Sequence, residues 1–161
     1  MAADYFLNID GIQGDSTDSK YQNQIELDSW SWNESQQGGQ STGAGLSSGK
    51  VAMSDFSFAA KSSKASPNLF LNCASGAHIK TAQLTCRKAG GKQQEYLKLN
   101  FTDILISSYN INSTAAGDAL PVDSVTIKFS SLKFEFSSQK ADGSLASPTI
   151  TGWSSVQNKK L

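Results

Sequence analysis

The sequence predicts a mainly β protein: a closed or nearly closed antiparallel β-barrel with one short flanking α-helix and a long glycine-rich loop. Three observations predict it. Four segments alternate apolar and polar residues with the period of two that a half-buried strand requires. Each of the four moves its apolar phase by one residue across a polar pair, as a strand bent at a barrel corner would. One segment alone combines helical spacing with start and stop signals. The 161 residues suggest a single domain, 1–161.

Tyr5 to Ile9 reads as the first strand. In the next, Ile25 and Leu27 alternate, Asp28-Ser29 follow, and Trp30 and Trp32 take the other phase. Val51 and Met53 precede Ser54-Asp55, then Phe56 and Phe58. Leu97, Leu99 and Phe101 precede Thr102-Asp103, then Ile104 and Ile106. Val125, Ile127 and Phe129 precede Ser130-Ser131, then Leu132, Phe134 and Phe136. Two readings compete. A bulge at the polar pair could keep one face inward, or one half could face the core while a helix or a neighbouring copy covers the other. A mixture is expected. On the second reading Trp30, Trp32, Phe56 and Phe58 are candidates for contact between copies. The stretch His78 to Lys88 is a further strand in which Cys86 shares the apolar face of Leu84, and Ile150 to Val156, with Trp153, is a final one.

The helix is expected over about 66–75. Ser66 suits the N-cap, Pro67 the first helical position and Gly76 the residue past the end. Leu69, Phe70, Cys73 and Ala74 form its apolar stripe. Between the second and third strand segments lies Gln37, Gly38, Gly39, Gln40, Ser41, Thr42, Gly43, Ala44, Gly45, Leu46, Ser47, Ser48 and Gly49, expected as a long projecting polar loop. Asn112 to Asp118 and Lys140 to Pro148 are shorter loops, the latter with the turn signal Asp142-Gly143.

Composition narrows the function. Hydrophobic residues make up 38% and charged residues only 17%, with a formal net charge of zero. A typical domain carries about 25% charge, and serine fills the gap. A near-neutral surface lacks the self-repulsion that keeps copies apart. Arg87 is the single arginine, so a nucleic-acid partner is not expected. Cys73 and Cys86 read as free thiols and His78 is the only histidine, so neither a metal nor a cofactor is expected. The N-terminal residues show no secretory leader, and no run of about 18 apolar residues spans a membrane. The chain is expected to be made in the cytoplasm and to leave it, if at all, by another route.

Catalytic patterns are weak. Gly49-Lys50 is followed by Val51, so the hydroxyl of a phosphate-binding loop is missing. No serine has the surroundings of a nucleophile elbow. Asp15-Ser16-Thr17-Asp18 lacks the ligand spacing of a calcium loop. No catalytic residue is assigned. Trp30, Trp32 and Trp153 could form a sugar-stacking platform, which keeps a monomeric carbohydrate-binding module as an alternative.

Several motifs carry a resemblance along nearly the whole chain. They are Asp4-Tyr5-Phe6-Leu7-Asn8-Ile9, Gly14-Asp15-Ser16, Ile25 through Trp32, the glycine-rich loop, and Ala65-Ser66-Pro67-Asn68-Leu69. Arg87-Lys88-Ala89-Gly90-Gly91, Gln94-Glu95-Tyr96-Leu97, Ile106-Ser107-Ser108-Tyr109, Gln139 to Gly143 and Gly152-Trp153-Ser154 complete the set. In this order and spacing the sequence resembles the haemolysin-coregulated protein family, Hcp, tube proteins of the type VI secretion system. The resemblance implies a β-barrel assembled as a six-membered ring. Rings stack into a hollow tube like a phage tail tube, inside a contractile sheath and capped by a spike protein. It implies assembly in the bacterial cytoplasm, then export to the extracellular space or a target cell without a cleaved signal peptide or membrane insertion. It further implies that small effectors can travel in the lumen, and that the loop Gln37 to Gly49 helps rings stack. The polar alternates Glu26, Ser31, Ser57 and Lys98 are the expected lumen-facing positions. A bacteriophage-type tail tube protein is the nearest alternative.

Overall fold

The computed structural model describes residues 3–41, 45–47, 49–88, 93–113 and 120–161. In chain order its elements are β1 (Ala3–Ile9), β2 (Ile25–Glu26), β3 (Ser29–Ser31), β4 (Glu34–Gln36), β5 (Gly39–Ser41), β6 (Gly45–Ser47), β7 (Val51–Met53) and β8 (Phe56–Lys61). Then come α1 (Ser66–Ser75), β9 (Ile79–Lys88), β10 (Glu95–Asn112), β11 (Val122–Phe136), β12 (Thr149–Ser154) and β13 (Lys159–Lys160). The expected class, mainly β with one short helix, is what is seen.

One sheet of nine strands runs β13-β12-β11-β10-β9-β1-β2, and β8 joins it on β11, carrying β3 on its far side. All its pairs are antiparallel. Strand pairing leaves this sheet open, with β2 and β13 at its ends, so the ladder itself does not confirm the closed or nearly closed barrel that the sequence predicts. The chain passes from β2 to β3 through Leu27 and Asp28. The Leu27 N–H donates to the Tyr5 carbonyl at 2.9 Å, and the Asp28 N–H donates to that of Ala59 at 2.8 Å.

The phase shifts resolve in two ways. In β10, Phe101 and Ile104 are both fully buried although they straddle the polar pair. The chain turns there at Asp103, whose φ of 51° lies in the left-handed region that aspartate tolerates better than most side chains. Phe56 and Phe58 follow the same logic after Ser54-Asp55. Both are buried in the subunit's own core, which corrects their expected place between copies. The Phe56 ring centre lies 4.8 Å from that of Phe101 and 6.1 Å from those of Trp30 and Phe58. The far half of β11 behaves otherwise: Phe134 and Phe136 are exposed.

The helix begins one residue differently from expectation. Ala65 occupies the N-cap without a side-chain cap, and Ser66 is already helical. Its hydroxyl is drawn away to the carboxylate of Asp123, which also accepts from Ser62 Oγ and Tyr109 Oη at 2.9 Å each. A buried carboxylate needs such donors, and Asp123 is only 2% exposed. Gly76 ends the helix at φ 65°, its N–H bonding the Asn72 carbonyl. Leu69 is buried and Cys73 half-buried, but Phe70 and Ala74 of the expected stripe face outward. Cys86 is buried, and burial pushes its thiol up to about 12. Asp123→Ala, which strands three hydroxyls at the root of the helix, is expected to lower unfolding stability by about 3 kcal/mol. Urea titration followed by tryptophan fluorescence checks this.

The glycine-rich segment differs from the expected free loop. Beyond β4 paired with β7, β5 pairs with β6, so a two-stranded ribbon continues the hairpin. From Gln36↔Val51 to Gly39↔Ser47 one strand advances three residues and the other four, which places one extra residue at the joint. There a Cβ on Gly49 would run into the Gln37 carbonyl oxygen, so the close approach needs glycine. Thr42, Gly43, Ala44 and Ser48 lie outside the described residues.

Candidate self-association surface

Two cross-strand rows define the face turned away from the core in the ladder formed by β3, β8, β11 and the far half of β10. Ser31 pairs with Ser57, Ser57 with Thr126, and Thr126 with Ser108. Ser29, Ala59, Ser124 and Asn110 form the next such row. The row between them, Trp30, Phe58, Val125 and Tyr109, has the opposite orientation and packs against or within the core. The result is a face of small, uncharged polar side chains. Ser107 lies within a register shift of β10, between Ile106 and Ser108, and the hydroxyls of Ser107 and Ser108 approach Thr126 Oγ1 at 2.7 and 2.6 Å. At the margin Asp55 takes bonds from Ser107 Oγ at 2.6 Å and Lys128 Nζ at 3.2 Å.

This ladder has two free edges among the described residues. β3 pairs only with β8. β10 pairs with β9 only up to Ile104↔Ile79, so beyond it β11 is its one strand partner among the described residues. Successive antiparallel pairings make β3 and β10 run in opposite directions. The β3 edge of one copy can therefore continue the β10 edge of another in the antiparallel sense.

The expected lumen positions divide. Ser31 and Ser57 are adjacent on the polar face, Ser31 exposed and Ser57 half-buried. Glu26 and Lys98 lie elsewhere, on a row that runs from Glu26 through Phe6 and Thr85 to Lys98. Ser29, Ser108, Asn110, Ser124 and Thr126 were not singled out in the sequence, although each is a polar alternate of the kind that marked Ser31 and Ser57. Trp30 and Trp32 are half-buried. Trp30 meets Tyr5 edge-on at 6.2 Å, and Trp32 donates its Nε1–H to the Ser54 carbonyl at 3.0 Å. Trp30 and Trp32 thus brace the sheet through separate contacts.

Where β1 pairs with β9, a charged cluster fastens the segment between β1 and β2. Arg87, 3% exposed, donates from Nη2 to Asp4 at 2.9 Å and to Asp18 at 2.7 Å. Its guanidinium lies 5.0 and 5.1 Å from the ring centres of Phe6 and Tyr21, which stack on one another at 4.3 Å. The Arg87 hydrogen bond holds the Asp18 carboxyl below its usual range. The Tyr21 hydroxyl bonds Glu95, which also pairs with Lys20 and Lys98 at 2.9 Å each. Burial pushes the Glu95 carboxyl up, but hydrogen bonds from Tyr21, Lys20 and Lys98 outweigh it and hold the group at about 2. A depressed folded-state value means that Glu95 contributes stability above its ordinary value of 4.5 and loses it as the pH falls toward 2. The thermal midpoint of Glu95→Gln should therefore lie below wild type at neutral pH and converge on it between pH 4.5 and 2. Parallel calorimetric scans check this.

Comparison with known proteins now places the chain. A family model described as type VI secretion system effector, Hcp, matches residues 6–136. Protein hcp1 of Pseudomonas aeruginosa is 38% identical over 160 residues, covering 98% of both chains. The crystal structure of Hcp1 from Salmonella typhimurium is 35% identical and covers all of both chains with a TM-score of 0.80. A structure described as a type six secretion system protein is 25% identical, with a TM-score of 0.93 over 99% of this chain and all of that one. The fold is thus that of a tube-type building block. The chain belongs to the Hcp family, the tube proteins of the type VI secretion system. Hcp proteins are secreted components of that system. No helix among the described residues is long and apolar enough to cross a membrane.

Proposed function

We propose that this chain, acting as one domain over 1–161, forms hexameric rings that stack into the hollow secretion tube. The observation that carries this reading is the pair of oppositely directed free edges flanking one neutral polar face. Edge-to-edge pairing between different surfaces of successive copies generates a ring when the rotation closes. It would turn the serine and threonine rows toward a common axis, as a lumen wall without a strong field. Within each copy, the crossing of Leu27 and Asp28 from the β1 side to the β8 side closes the sheet into a barrel corner. The chain's role is structural and not catalytic.

The ribbon of β5 and β6, carried on the β4–β7 base, reaches from one ring to the next in this scheme. Spike and sheath proteins are its partners in the machine, and small effectors travel in the lumen, held by hydroxyls such as those of Ser31 and Ser57. Glu26 and Lys98 belong to the outer side of the subunit. The chain is assembled in the cytoplasm and leaves with the contracting machine. Light scattering coupled to size-exclusion chromatography tests the ring. A mass six times the 17.2 kDa of one chain is expected, and a mass of one chain across the accessible concentration range would reject it.

A further inference from the structure

The ten residues of α1 carry two apolar stripes, and the subunit uses one. Leu69 and Cys73 turn inward. Pro67, Phe70, Leu71 and Ala74, spaced i, i+3, i+4 and i+7, all face outward, with Phe70 60% and Leu71 58% exposed. The helix has no charged residue. A surface helix normally sets polar residues on its outer face, and an apolar stripe at this spacing is how a helix lies in a groove.

The stripe sits beside one free edge. α1 packs against β10, and Ser66 at its start shares Asp123 with Tyr109 from the edge half of that strand. By the other edge lies a groove of about 550 Å³, where the chain leaves β3. Trp32, Val51, Met53, Phe134 and Trp153 supply its apolar lining. The Trp153 Nε1–H there is buried without an acceptor, an uncommon and costly state. One copy thus bears a convex apolar ridge at one edge and a concave apolar groove at the other.

We infer that α1 of one copy seats its Pro67-Phe70-Leu71-Ala74 stripe in the Trp32-Met53-Phe134-Trp153 groove of the next. This rests on the ring reading and names its side contact. A second copy is the occupant for two reasons. The stripe alone is far smaller than the roughly 1,200 Å² that a stable interface buries, so it must belong to a larger contact. The larger contact continuous with it is the junction of the two edges. Exposed Asn68 beside the stripe carries an acceptor of the kind that Trp153 lacks.

Crosslinking tests the inference. In a Cys73→Ser background, Leu71→Cys and Met53→Cys are made singly and together, and treated with a short bismaleimide. The doubly substituted chain should give a ladder of covalent oligomers. Mixed single variants should give a dimer that neither gives alone. Phe70→Asp, at an exposed site, should keep its circular dichroism and lose its ring mass. Rings that persist in Phe70→Asp, without any 53–71 crosslink, would overturn the inference and leave the ring reading standing. A Leu71→Cys dimer formed without Met53→Cys would mean that two stripes face each other and would also overturn it. Wild-type protein that remains single would remove both.

Discussion

Phe56→Ala is expected to destabilise the isolated subunit by about 3–5 kcal/mol, as removal of a fully buried aromatic side chain does. Phe56 is 0% exposed and centres the cluster with Trp30, Phe58 and Phe101. Its loss opens a cavity where Phe56 of β8 meets Phe101 of β10. The effect separates two roles. An interface phenylalanine would change assembly and leave the fold intact. A core phenylalanine lowers the unfolding midpoint even under conditions that keep copies apart. Urea titration in dilute solution, with and without the substitution, decides between them, and a large shift in midpoint is expected.

Arg87→Ala is expected to cost about 3 kcal/mol, the lower part of the range for breaking a buried ion pair. The lower part applies because Asp4 and Asp18 keep some access to water, with side chains 38% and 21% exposed. The substitution leaves two carboxylates without their shared cation and removes packing beside Phe6 and Tyr21. It also frees the segment between β1 and β2, which Arg87 holds through Asp18. Arg87→Lys keeps the charge but not the planar fork, and should recover only part of the loss. Limited proteolysis should show faster cleavage between β1 and β2 in Arg87→Ala than in wild type.

Much of the architecture was legible as a period of two. Alternation placed β1, β9 and the long strands β10 and β11, and it located each change of phase. Periodicity reports which residues share a face, but not what covers that face. Phe56 and Phe134 therefore looked equivalent, although one is core and the other surface. The helix was legible from Pro67 and Gly76, whereas its orientation was not. Leu69 with Cys73 and Phe70 with Ala74 both satisfy helical spacing, and only docking on the sheet separates them. The ribbon beyond β4 was hidden because glycine and serine have little intrinsic strand preference. There, hairpin pairing carried on from the β4–β7 base prevails. The clamp on Arg87 joins residues 69 and 83 positions away, a separation that no local pattern reports. Alternation put Ser31, Ser57, Glu26 and Lys98 under one rule, but the fold sets the first two side by side and the other two on a different part of the sheet.

Negative-stain microscopy of the purified chain is the most direct measurement of whether its leftover edges and apolar surfaces are satisfied by further copies of itself. Uniform annuli with an open centre are the predicted result. Fields of small solid particles of single-chain size, persisting at high protein concentration, would contradict it.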